Sequence, residues 1–247
     1  MKKKILIYLL IFISALLAVV SGAFLIWAGS PMKAMPEAQA ALKGSTQVSV
    51  DEAEWVVFRP VDRNGTGLIL YPGARVDVRA YAPLALEIAN QGYLVVIVPM
   101  PFNMAVFDIN AADAVLKAFP EVERWAIGGH SLGGAMAAQY IATHANQVEG
   151  LVLWASFPAS NNDLSKLPIR VTSISASLDA FSTPDKIDAS RPILPGDTSW
   201  VVITGGNHSQ FGWYGLQPGD NPAAITREDQ MNQIVSATTA LLASLGR

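Results

Sequence analysis

The chain contains no cysteine. That excludes disulfides, thiolate metal sites and a thiol nucleophile, and it is compatible with an oxidising compartment. Histidine is scarce: there are three in 247 residues, with no pair at the i, i+4 spacing of a helical zinc site. A Gly-Lys-Ser/Thr phosphate loop and an acidic cluster are also lacking, so neither a metal nor a cofactor is expected. Basic charge is thin. Without Lys2, Lys3 and Lys4, 14 basic residues face 20 acidic ones, a formal charge of −6. Nucleic acid is therefore not an expected partner, since phosphate binding calls for clustered Lys and Arg.

A long apolar run is present. Residues 5–29, ILIYLLIFISALLAVVSGAFLIWAG, carry no charge, and at about 1.5 Å per residue they are long enough to cross a hydrocarbon core of about 30 Å. A secretory signal has a shorter apolar core, so a retained membrane anchor is expected. The three preceding lysines place the amino terminus in the cytoplasm and the rest of the chain outside. The alternative is cleavage near Ala28 and secretion. Residues 30–46 read as a tether, and 47–247 as one catalytic-sized domain.

Within that domain apolar strands alternate with helical segments. Strands are predicted at 54–59, 67–72, 93–99, 124–130, 150–156, 169–177 and 199–206, and helices at 80–91, 109–118 and about 226–245. Asn64-Gly65 signals a hairpin between the first two strands. Several strands are apolar on both faces, which predicts an α/β fold: a mostly parallel sheet with helices on both sides and ligands at the carboxyl ends of the strands. Only about a dozen residues separate the strands at 150–156 and 169–177, leaving almost no room for a lid.

The chain is organised around Gly129-His130-Ser131-Leu132-Gly133, a Gly-x-Ser-x-Gly run between strand and helix that fits a nucleophile elbow. The glycines on either side of Ser131 are expected to avoid collisions and to tolerate positive φ nearby. A serine hydroxyl needs a general base. His130 lies inside the elbow and is expected to point away from the reacting face, and His144 is roughly 20 Å along the next helix. His208, after a later strand, remains. The acid is expected between Ser131 and His208 at a strand end. Asp179 meets that demand, with Asp163 as the alternative, while Asp185 reads as a helix-start residue and Asp188 as part of the same short helix. For the oxyanion, the amide of Leu132 and that of Ala74 are nominated, with Gly73 giving the backbone room to turn. Met100, Phe102, Trp154, Phe157, Phe211, Trp213 and Tyr214 fall near predicted strand ends and suggest an apolar, open substrate pocket.

The runs LILYPGARVDVRAYAPLA, YLVVIVPMPFN, WAIGGHSLGGAMAAQY, SLDAFSTPD and ITGGNHSQFGWYG resemble, in order and spacing, the α/β hydrolase superfamily. The likeness is strongest to its compact bacterial group related to dienelactone hydrolases, with serine as nucleophile. The resemblance covers about residues 54–245 and implies an α/β hydrolase fold, a triad of Ser131, Asp179 and His208, and an oxyanion loop at Gly73 and Ala74. Dienelactone hydrolases proper have cysteine where this chain has serine, so their substrate does not carry over. The expected activity is hydrolysis of small or medium carboxylic esters through an acyl-enzyme. The competing expectation is a non-catalytic relative that binds a ligand or partner in the same cleft.

Overall fold

The computed structural model describes residues 2–245. Helix α1 (Lys2–Ala28) and a short α2 (Pro36–Ala41) lead into eight strands: β1 (Val48–Asp51), β2 (Val56–Pro60), β3 (Thr66–Tyr71), β4 (Leu94–Ile97), β5 (Arg124–His130), β6 (Gly150–Trp154), β7 (Arg170–Ala176) and β8 (Ser199–Ile203). Between and after them come α3 (Ala82–Ala89), α4 (Ala112–Ala118), α5 (Leu132–His144), α6 (Pro184–Ala189) and α7 (Arg227–Ser244). The strands form one sheet in the order β1-β2-β4-β3-β5-β6-β7-β8, antiparallel at β1–β2 and β2–β4 and parallel from β4 to β8.

Side chains alternate between the two faces of a strand, and here both faces are covered. Leu68 and Leu70 of β3 pack with α3 and α7, whereas Ile69 and Tyr71 pack with α4 and α5. Each such side chain, once buried, contributes about 1.5–3 kcal/mol, so the apolar runs are satisfied only in a sheet with helices on both sides. α7 starts as its sequence predicts, with Thr226 capping it by accepting from Asp229 N at 3.0 Å.

Three expectations need correction. The hairpin at Asn64-Gly65 does not form: β4 lies between β2 and β3, and Asn64 N instead donates to Gly92 O at 3.1 Å. The turn signal is local, whereas β3 and β4 are both buried throughout and each needs a partner strand on either edge; β4 takes the place beside β2, and β3 lies between β4 and β5. β1, whose exposure alternates imperfectly, is an additional edge strand. Finally, residues 30–46 are no loose tether. Ala38 is fully buried, Met35 N donates to Trp213 O at 2.8 Å, and Met32 bridges to Val76.

α1 contains one stretch, Lys4–Ala28, long and apolar enough to cross a membrane, with its side chains exposed along most of its length.

Candidate active site

The strand order creates the site. After β4 the chain crosses β3 to add β5 on its other side, so the carboxyl ends of β3 and β5 diverge into separate loops and leave a crevice. Ser131 follows β5 and Gly73-Ala74 follows β3, which puts both at that crevice.

Ser131 has φ 53° and ψ −122°, a region that costs a non-glycine residue about 1–3 kcal/mol and persists only where neighbours enforce it. Ser131 N donates to Trp154 O at 3.0 Å, and Ser131 O accepts from Ser156 Oγ at 2.7 Å, so the end of β6 holds the strained residue from both sides. The expectation that flanking glycines supply the positive φ is therefore corrected: the serine itself carries it. The glycines serve close approach. A Cβ on Gly129 would lie 2.5 Å from Tyr71 O, and one on Gly133 would strike the carbonyls of Tyr71 and Pro72. Without side chains there, α5 starts directly over the end of β3.

His208 and Asp179 are brought together. His208 Nδ1 and Asp179 Oδ2 are 2.8 Å apart, and both residues are almost fully buried. The other carboxylate oxygen accepts from the amides of Phe181 and Ser182, each at 2.7 Å. A carboxyl group with both oxygens engaged is held in one orientation, which directs the Nδ1–H tautomer of the imidazole towards it. No hydrogen bond joins Ser131 Oγ to His208 Nε2; such contacts are often long before substrate binds. Asp163 is exposed and accepts from Ser165 N at 2.9 Å, away from the imidazole. Asp185 occupies the first turn of α6, and Asp188 pairs with Arg191 at 2.8 Å.

Residues that sequence reading missed position this pair. Asp220 Oδ2 accepts from the amide and hydroxyl of Ser209, at 2.8 and 2.6 Å, while Oδ1 accepts from Ala180 N at 3.2 Å. One carboxylate thus ties the loop of Asp179 to the loop of His208. Gln230 grips Asn207 by both backbone groups, at 3.0 and 2.8 Å, and Arg227 donates to the carbonyls of Ser209 and Gly212. Asp220 and Gln230 had no legible signal beyond a polar loop and a helix face.

His130 does not point away; its ring centroid is 4.5 Å from that of His208. It is enclosed by Phe211, stacked at 5.8 Å, and Tyr81, whose Oη lies 2.9 Å from Nδ1. Tyr81 Oη also accepts from Gly73 N at 2.8 Å. Gly73 N–H is thereby committed elsewhere, and a Cβ on Gly73 would meet His130 Nδ1 at 2.8 Å, so its place in the loop is a matter of space. Among the described residues the amide of Ala74 has no acceptor, and that of Leu132 opens α5, where the first amides lack intrahelical partners.

Burial first, and the neighbouring His208 second, hold the His130 imidazole well below its ordinary range, so it is neutral. The unfolded chain takes up this proton near pH 6.5, and the folded chain only well below. Stability from this group is therefore complete above about pH 6.5 and falls on acidification by up to about 1.4 kcal/mol per pH unit until the folded pKa is reached. His130→Gln should flatten the decline in Tm between pH 7.5 and 5, as about one proton fewer is taken up on unfolding. Equal slopes for the two proteins would contradict this.

The aromatic pocket needs revision. Trp154 is wholly buried, donating from Nε1 to Thr238 Oγ1 at 3.0 Å, and Phe211 is wholly buried against His130. Trp213 and Tyr214 are nearly so. These four belong to the core beneath the histidines, because bulky rings near strand ends are needed to fill the space between sheet and α7. Met100 is buried near the elbow helix, Phe157 is half-buried after β6, and Phe102 is exposed and packs towards α1. A separate cavity of about 630 Å³, lined by Arg170, Asp197, Ser199 and Leu241 among others, opens at the amino ends of β7 and β8 and includes none of the predicted residues.

A sheet of this order with a strained serine at its switch point defines an α/β hydrolase architecture. Residues 67–232 match the model of the alpha/beta hydrolase family, and the chain belongs to that family. No match was found among curated proteins. Solved structures share the fold. The chain is similar to esterase 2 of Thermogutta terrifontis phosphoramylated by tabun (TM-score 0.60, 11% identity, 83% of this chain and 96% of that one). It is also similar to the esterase domain of a Rhodothermus marinus protein (0.57, 14%, 75% and 91%). A protein described as a dienelactone hydrolase from Klebsiella pneumoniae aligns comparably (0.57, 15%, 81% and 98%).

Proposed function

We propose that the protein is a membrane-anchored serine hydrolase that cleaves small or medium carboxylic esters through an acyl-enzyme. The observation that carries this reading is the buried Asp179–His208 pair standing at the same sheet edge as the strained Ser131. In the proposed cycle Ser131 Oγ attacks the ester carbonyl while His208 Nε2 takes its proton, and Asp179 stabilises the resulting imidazolium without accepting the proton. The oxyanion is met by the amides of Leu132 and Ala74. Collapse of the tetrahedral adduct expels the alcohol, which receives the proton from His208. Water then attacks the acyl-Ser131 ester, again deprotonated by His208, and the acid leaves with Ser131 restored. In this reading Met100 and Phe157 form part of the apolar wall. The esterases among the structural neighbours support the same reading.

Residues 5–29 serve as the anchor, with the amino terminus cytoplasmic and the domain outside. Retention is supported by the burial of Ala28 and by the hydrogen bonds its neighbours make to the domain, which leave little room for cleavage there. With no lid, the full chain in detergent should hydrolyse soluble short-chain p-nitrophenyl esters with simple saturation. Absence of turnover across a panel of esters, thioesters and amides would favour the non-catalytic binding reading.

A further inference from the structure

The anchor and the site share one joint. Phe24, one turn before the end of α1, packs its ring on Phe102 and Phe107 at centroid distances of 5.7 and 6.2 Å, and these two rings meet edge-on at 5.2 Å. Ala28 O accepts from Asn103 Nδ2 at 2.9 Å. The guanidinium of Arg75 lies 4.3 Å over the ring of Trp27 and donates to the carbonyls of Trp27 and Ser30 at 2.9 and 2.8 Å. Trp27 O and Ala28 O belong to the last turn of α1, whose carbonyls lack intrahelical partners. Arg75, Phe102 and Asn103 all have φ of 54°, a left-handed backbone that must be held by its surroundings. Arg75 directly follows Ala74, and its amide donates to Asn103 O at 2.7 Å. The loop after β3 and the loop after β4 are thus locked to each other and to the end of α1.

This joint fixes a depth. Phe24 is inside the apolar stretch Lys4–Ala28, about 6 Å short of its end at the helical rise. Rings that pack on Phe24 share its level in the bilayer. Residues 99–107 carry no charge, and Phe102, Val106 and Phe107 are 45%, 47% and 50% exposed. Exposed in water, such a contiguous patch is unfavourable; in the interfacial zone, it is stabilising.

We infer that the mouth of the site opens onto the leaflet at the far end of α1, and that the preferred substrate is the ester of an amphiphile resident in that bilayer. This rests on the ester-hydrolase reading above and names its substrate class. Val106 and Phe107 are seated in lipid and hold the mouth at that level, so a bilayer-borne ester reaches Ser131 laterally, without a passage through water. Soluble short esters enter the same lidless site from the aqueous side.

The full chain in dioleoylphosphatidylcholine vesicles tests this in two ways. First, the double variant Val106→Ser, Phe107→Ser should lose about tenfold or more in kcat/KM on a medium-chain umbelliferyl ester carried in the bilayer, while p-nitrophenyl acetate hydrolysis stays within about twofold. Second, the absence of cysteine allows a single nitroxide at Val106→Cys, with Val61→Cys, beyond the opposite end of the sheet, as comparison. Position 106 should be accessible to oxygen and shielded from an aqueous nickel chelate, and position 61 the reverse. Equal loss on both esters, or an aqueous signal at 106, overturns the inference. Failure of the unmodified chain to hydrolyse p-nitrophenyl acetate rejects the ester-hydrolase reading instead.

Discussion

Ser131→Ala is expected to lower kcat for ester hydrolysis by about 10⁴- to 10⁶-fold, the range found when the nucleophile of a serine hydrolase is removed and only its oxyanion donors and binding contacts remain. The substitution deletes one atom and keeps the Cβ, so it neither opens a cavity nor releases the backbone. Its φ of 53° is imposed by hydrogen bonds from the end of β6 to the main chain of residue 131, which alanine retains. Stability should stay within about 0.5 kcal/mol, as for substitutions that disturb no packing or hydrogen bond. Steady-state hydrolysis of a short ester and a thermal melt of both proteins check the two halves together. An intact melt with retained turnover would move the chemistry to another residue.

Asp179→Asn should be nearly as severe, about 10⁴-fold in kcat by the serine-protease precedent. The amide keeps an oxygen for the Phe181 and Ser182 amides, at 2.7 Å in the native loop, so the turn can persist. What changes is the group facing His208 Nδ1. If the amide nitrogen points at the ring, it donates where the carboxylate accepted, and Nδ1 must give up its proton. The proton then resides on Nε2, where it blocks the role of base. Asp179 is almost fully buried behind the imidazole, so KM should move far less than kcat. A loss under tenfold would show that the imidazole is oriented by some other group and would return Asp163 to consideration, although that side chain is exposed and turned to Ser165.

Much of this arrangement was legible from residues alone. The elbow stands out because few folds need glycine on both sides of a serine between strand and helix. His208 follows from elimination among three histidines, and Asp179 from its place just beyond a strand. What was hidden depends on partners distant in sequence. The insertion of β4 between β2 and β3 overrode a strong local turn signal at Asn64-Gly65, because pairing follows shared burial rather than adjacency. Tyr81 and Asp220 are tied to backbone amides, which carry no side-chain signature. Trp154 and Phe211 show the reverse error: rings at strand ends read as pocket walls but fill the core under α7 and behind His130. The stretch 30–46, rich in alanine and proline, read as a tether because small residues leave no apolar stripe. Ala38 packs fully against the domain all the same.

The most direct test of the account is covalent. The full chain, incubated with a fluorophosphonate and digested, should carry one adduct on the peptide containing Ser131, formed far more slowly after His208→Ala and absent from Ser131→Ala. An adduct on another residue, or none on a protein that remains folded, would contradict it.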